Sequence, residues 1–391
     1  MTPGSLAAVP FTVNASDLEL EDLRRRLRAT RWPDEQTVED WSQGVPRAYL
    51  REVVEYWAER YDWRARERAI NRFPQFRAEV GGLGIHFIHA RSSHAHAVPL
   101  LMTHGWPGSI VEFLKVIGPL TAPELHGGGT ADAFHVICPA LPGYGFSDKP
   151  AKSGCGVEKI GALWDELMVG LGYGRYLAQG GDWGASVTIQ IALQNLGHCR
   201  GIHLNMPVVA TPSEAMAHPT PAEQRALEAR NRYAATESGY AAEQSTRPQT
   251  LGYALADSPA GQCAWILEKF RFWTDCDGHP ENALSKDELL DNVMLYWLPG
   301  TGASSARLYW ESFRKSFAAE LPPVDLPTGC SIFAKELSLP PRAWVERRFR
   351  NLVYWAEPPK GGHFAAFEQP ERFVDELRNC FRLMRDSVRV R

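Results

Sequence analysis

The chain has no CxxC pair and no Cys/His spacing that suits a zinc site. Its seven cysteines (Cys138, Cys155, Cys199, Cys263, Cys276, Cys330 and Cys380) are scattered and odd in number. A disulfide framework is therefore not expected, and free thiols in a reducing compartment, the cytoplasm, are. No run approaches the roughly 18 apolar residues that a membrane span needs. Met1 to Pro10 lacks a basic segment followed by an apolar one, so no leader is read there. An excess of one charge is missing too: 42 Lys and Arg against 46 Asp and Glu leave a net charge of −4. That balance gives no reason to expect nucleic acid or an anionic membrane as partner. Internal repeats and low-complexity tracts are absent. His86, His89, His94 and His96 cluster in sequence, but no carboxylate or Cys partner repeats beside them, so no metal is expected. What remains is 391 residues with 44% hydrophobic content, enough for a large core in one elaborated domain or two.

The rest of the chain is organised around Gln179-Gly180-Gly181-Asp182-Trp183-Gly184-Ala185. An apolar run, Tyr176 to Ala178, leads into it, and a helix-like run, Ala185 to Leu193, leaves it. Small residues around a central Asp match the nucleophile-elbow pattern, with Asp where Ser is usual. Glycines suit such a strained strand-to-helix turn because neighbouring Cβ atoms would collide there.

In chain order, Ser16-Asp17-Leu18-Glu19 is a capping box, followed by Leu20, Leu23 and Leu27 on one helix face. A second helix is expected from about Pro46, with Leu50, Val53, Trp57 and Tyr61 as its apolar stripe. Trp41, Trp63, Phe73, Pro74 and Phe76 read as aromatic anchors in irregular chain. Residues 1–79 thus read as an N-terminal extension packing on a core. The core, residues 80–208 and 323–391, alternates short apolar strands with helices, which predicts an α/β fold with a mostly parallel sheet. Residues 209–322 break that rhythm with Ala-, Glu- and Arg-rich helical text, a helical insertion.

Sites in such sheets lie beyond the carboxyl ends of the strands. Asp182, Glu336 and His363 each follow a strand there, in the order nucleophile, acid, His expected of α/β-hydrolases. A carboxylate with a reference pKa of about 3.9 needs no base to be nucleophilic at neutral pH. On an acyl carbon it would form a mixed anhydride; on an electrophilic sp³ carbon it forms an ordinary ester. Epoxides and carbon–halogen bonds are therefore the natural substrates. His363, supported by Glu336, would activate water against that ester. The backbone N–H groups of Trp106 and Trp183 would stabilise the resulting oxyanion. His104 reads as a structural residue of the same loop.

His104-Gly105-Trp106-Pro107-Gly108-Ser109, Gln179 to Gly184, and Gly361-Gly362-His363-Phe364-Ala365-Ala366-Phe367-Glu368 resemble the microsomal-type epoxide hydrolases, and the resemblance covers nearly the whole chain. It implies an α/β-hydrolase core, a helical cap at 209–322, an N-terminal meander, no cofactor, and a small-molecule epoxide plus water as reactants. It also implies two cap tyrosines that donate to the epoxide oxygen. Tyr240, in Glu237-Ser238-Gly239-Tyr240, and Tyr309, in Ser304-Ser305-Ala306-Arg307-Leu308-Tyr309, stand in the matching segments. Tyr233, Tyr253 and Tyr296 read as cap packing. Ala334 departs from the Pro more usual in the family. A haloalkane or haloacid dehalogenase is the rival chemistry, and a non-catalytic ligand receptor on the same fold is the rival class. The relatives implied include enzymes of actinomycete secondary metabolism, with enediyne antibiotic assembly among them, and the Arg-rich, unanchored chain leans that way. A homodimer is compatible with the sequence.

Overall fold

The computed structural model describes residues 6–388; Met1 to Ser5, half of the stretch read for a leader, lies outside them. The strands among the described residues are β1 (Val9–Phe11), β2 (Gln75–Val80), β3 (Leu83–Ala90), β4 (Val98–Thr103), β5 (Phe134–Pro139), β6 (Tyr176–Gly180), β7 (Cys199–Leu204), β8 (Thr328–Ser331) and β9 (Leu352–Ala356). They form one sheet in the order β1-β2-β3-β5-β4-β6-β7-β8-β9. Pairing is antiparallel from β1 to β5 and parallel from β5 onward. β4 to β8 are almost wholly buried, as strands covered on both faces are, whereas the edge strand β9 is only partly covered and leaves Val353 exposed.

The N-terminal extension departs from its sequence reading in two respects: Trp63, expected in irregular chain, opens a helix, and Phe76 lies within a strand. Phe76 belongs to the sheet strand Gln75–Val80, which runs into the start of the core expected at Val80, and Val9–Phe11 pairs with its outer edge. The signal is the alternation of Phe76, Ala78 and Val80 with Gln75, Arg77 and Glu79, which Pro74 and the neighbouring aromatics mask. The segment's helices are α1 (Asp17–Arg28), capped by Ser16 and Glu19, α2 (Arg47–Glu59) and α3 (Trp63–Ile70). Core helices follow: α4 (Leu114–Thr121), α5 (Val157–Gly170) and α6 (Asp182–Gln194).

Between β7 and β8 the chain is helical: α7 (Ser213–Ala217), α8 (Pro221–Arg232), α9 (Gly239–Thr246), α10 (Pro248–Asp257), α11 (Pro259–Trp273), α12 (Lys286–Trp297) and α13 (Gly302–Ser316). The extension grips this layer. Tyr61 donates to Asp291 at 2.7 Å, and Arg66 holds the same carboxylate at 2.5 Å. Tyr49 and Tyr56 reach Glu281 and Asp287. The core closes with α14 (Arg342–Arg348), α15 (Ala365–Glu368) and α16 (Pro370–Arg382).

Candidate active site

The turn from β6 into α6 is built by what its glycines lack. Asp182 has φ of +49°, a left-handed conformation that strains an L-residue but that Asp tolerates better than most. A Cβ on Gly184 would overlap the Thr103 carbonyl at the end of β4, and one on Gly105 would overlap the Asp182 carboxylate itself. Small residues therefore let α6 and the β4 loop close around one carboxylate, whose side chain stays 14% exposed.

Strand order then supplies the partners. β8 and β9 are neighbours, and their pairing continues past the sheet, with Lys335 N–H donating to Gly361 O at 3.0 Å. The residues that follow, Glu336 and His363, are thereby side by side. His363 Nδ1 lies 2.6 Å from Glu336 Oε1, and Nε2 lies 3.2 Å from Asp182 Oδ2. Glu336 Oε1 also accepts from Leu337 N–H at 2.7 Å, which fixes it. Burial by itself would keep the imidazole neutral. The Glu336 charge and the Asp182 contact override it and raise the pKa well above the usual range.

β4 is the neighbour of β6 on the other side, which brings the His104–Ser109 loop over Asp182. Trp106 N–H donates to Asp182 Oδ1 at 2.8 Å. The Trp183 N–H lies in the first turn of α6, where amides have no acceptor within the helix. His104 holds the loop, contacting Gly105 O through Nδ1 and accepting from Leu141 N–H through Nε2; burial lowers its pKa to about 4 and keeps it neutral. From above, α12 braces the loop. Asn292 donates to Pro107 O at 2.7 Å, and Tyr296 to Gly108 O at 2.6 Å. The His363 loop is tied likewise: His363 N–H donates to Trp273 O at 2.8 Å, while Glu368 accepts from the N–H groups of Asp275, Gly362 and Phe364.

Tyr240 and Tyr309 are both buried, with hydroxyls 3.5 Å apart, and their rings meet the Trp106 indole. Tyr253, expected to pack within the helical layer, is instead exposed to solvent. Tyr233 is not merely packing, contrary to its sequence reading, because its hydroxyl lies 3.0 Å from that of Tyr240. A π-helical turn, Tyr233–Glu237, brings the two together across seven residues.

Glu112 and Lys269 were also missed. Glu112 is buried, folded back so that its carboxyl fills the space beside Gly108, and burial pushes its pKa up to about 8. It lines a cavity of about 20 Å³ together with Asp182, His363, Gln179 and Asn205. That volume accepts about one water molecule, and Gln179 Oε1, otherwise without a protein partner, is a polar atom of its lining residues. The local signal for Glu112 was its spacing of four from Gly108.

The chain matches the family model for the epoxide hydrolase N terminus over residues 8–113, and that for the alpha/beta hydrolase fold over residues 98–256. A relative from Stigmatella aurantiaca is 55% identical over 376 residues, 96% of this chain and 85% of that one. Epoxide hydrolase 1 of Sus scrofa is 37% identical over 96% of this chain and 88% of its own. Among solved structures, the juvenile hormone epoxide hydrolase of the silkworm Bombyx mori superposes with a TM-score of 0.90 at 32% identity, covering 99% of this chain and 96% of that one. The Aspergillus niger epoxide hydrolase gives 0.87 at 33%, covering 97% of each.

Proposed function

The chain belongs to the epoxide hydrolase family, and on that premise we propose that it converts an epoxide to a vicinal diol in two steps that both act at Asp182. The contact that carries this reading is the division of labour between the two Asp182 oxygens. Oδ1 is engaged by the Trp106 amide, and Oδ2 faces His363. Oδ2 is the nucleophile. It forms a bond to an epoxide carbon, the ring C–O bond breaks, and the electron pair goes to oxygen, which takes a proton from a cap tyrosine. The product is an alkyl ester whose carbonyl oxygen, Oδ1, already sits against a donor.

Esterification removes the negative charge of Asp182. One of the two carboxylates that raise the pKa of His363 is then gone, while burial still favours the neutral ring. The imidazolium gives up its proton, which restores the tyrosine, and the neutral ring becomes a base. Water in the cavity beside Glu112 attacks the Asp182 carbonyl carbon as His363 takes its proton. The amides of Trp106 and Trp183 stabilise the oxyanion, each worth about 3 kcal/mol by comparison with other such donors. Collapse expels the diol oxygen, which takes the proton of the carboxylic acid just formed. Asp182 returns as carboxylate and His363 as imidazolium, with one water consumed.

An aromatic row supports an apolar substrate. Phe317, 46% exposed, leads through Phe313 to Tyr309, with Trp183 against all three rings. A bulky aromatic or aliphatic epoxide suits that lining. A single turnover in water enriched in heavy oxygen tests the route. The label is expected in Asp182 and not in the first diol; label in the first diol would mean direct attack by water.

A further inference from the structure

The two cap tyrosines stand in different electrostatic surroundings. The Tyr240 ring lies nearly parallel to the Trp106 indole, with centroids 4.8 Å apart and planes 10° apart. Lys269 Nζ stands 4.7 Å from the centroid of that same ring and 5.6 Å from that of Trp273. The lysine side chain is 4% exposed; it contacts Glu268 and lies 4.0 Å from Glu237. The Tyr240 hydroxyl in turn lies 3.0 Å from that of Tyr233 and 3.5 Å from that of Tyr309. Tyr309 meets Trp106, Trp183 and Tyr240 at steep angles of 87°, 85° and 79°.

We propose that Lys269, acting through the ring it covers, makes Tyr240 the tyrosine that gives up its proton when the epoxide opens, while Tyr309 holds the oxygen by hydrogen bonding. This rests on the reading that the cap tyrosines face the epoxide. A cation over a phenol ring is attracted by the ring quadrupole, and more strongly once the ring carries charge. As the Tyr240 proton moves to the epoxide oxygen, negative charge grows on the phenolic oxygen and spreads into the ring. The attraction to Lys269 therefore strengthens in the transition state, which is the kind of interaction that accelerates a step. Tyr233 supplies a hydroxyl to the same developing oxyanion. Glu268 and Glu237 offset part of the lysine's field, and Asp182 is consumed as an anion in the same step. A buried ammonium is expensive to keep, and an apolar side chain would pack against Tyr240 and Trp273 as well. The charge itself is what the position gains from lysine.

The test is a double-mutant cycle on the pre-steady-state alkylation rate with styrene oxide, using Lys269→Met, Tyr240→Phe and the pair. Lys269→Met is expected to slow alkylation about 10-fold and to leave ester hydrolysis unchanged. Lys269→Arg, which keeps the charge, is expected to recover most of the rate. In the Tyr240→Phe background, where no proton can leave, Lys269→Met should have no further effect. Equal slowing in both backgrounds, or wild-type alkylation in Lys269→Met, overturns the proposal. Should Lys269→Met fail to fold, Lys269→Gln serves in the same cycle with the same expectations. If Tyr240→Phe alone alkylates as fast as wild type, the donor reading of Tyr240 fails, and this proposal with it.

Discussion

The backbone N–H of Trp106 donates to Oδ1 of Asp182 at 2.8 Å, so one carboxylate oxygen is held by a fixed dipole before any substrate arrives. The pairing follows from strand order: β4 and β6 are hydrogen-bonded neighbours, and the loops after them share one end of the sheet. In the proposed reaction the same amide would lower the nucleophilicity of Oδ1 and stabilise the charge it carries during ester hydrolysis.

Removing either cap hydroxyl should affect the two steps unequally. Tyr240→Phe and Tyr309→Phe each withdraw a donor from the oxygen where charge develops in alkylation, a loss of about 10²–10³-fold by comparison with other such donors. Hydrolysis of the ester breaks the bond between the Asp182 carbonyl carbon and the former Oδ2, so no charge develops on the former epoxide oxygen in that step. Stopped-flow tryptophan fluorescence separates the steps, and a larger effect on hydrolysis than on alkylation would return both residues to packing roles.

Glu368 accepts three backbone N–H groups, one from Asp275 of the helical layer and two from the His363 loop. Glu368→Ala leaves those donors without their acceptor, and unpaired buried donors cost about 1–3 kcal/mol each. The expected result is a lower melting temperature together with a slower hydrolysis step, because the loop that aims His363 loses its brace. Unchanged stability would contradict the bracing role.

Glu112 predicts a pH dependence of stability. Burial holds its proton to about pH 8, against an ordinary value of 4.5. The folded protein therefore keeps a proton that the unfolded chain releases, and this group's contribution falls as pH rises from about 4.5 through about 8. Glu112→Gln carries no such proton. Its melting temperature relative to wild type should climb across that window and level off above it; parallel curves would refute the assignment.

How far sequence reaches depends on how local the signal is. The elbow was legible because a strand, three glycines, a nucleophile and a helix are contiguous. Glu336 and His363 were legible by chain order, each following a strand. The α/β-hydrolase fold and the family were likewise readable from motifs. Lys269 was not, because its meaning lies in the Tyr240 ring on another helix. Tyr233 was hidden by a π-helical turn, which no residue pattern announces. The Gln75–Val80 strand was masked by the aromatics before it, and the grip of Tyr61 and Arg66 on Asp291 joins residues more than 200 positions apart.

The proposed reaction passes through a covalent ester on Asp182. The intact mass of His363→Gln after mixing with styrene oxide tests it most directly, since that variant keeps the nucleophile and loses the base for the second step. A mass increase equal to one epoxide is expected, mapping to the peptide that contains Asp182 and absent in the same variant carrying Asp182→Ala. A variant that remains unmodified while wild type turns over the same epoxide, or an adduct on another residue, would contradict it.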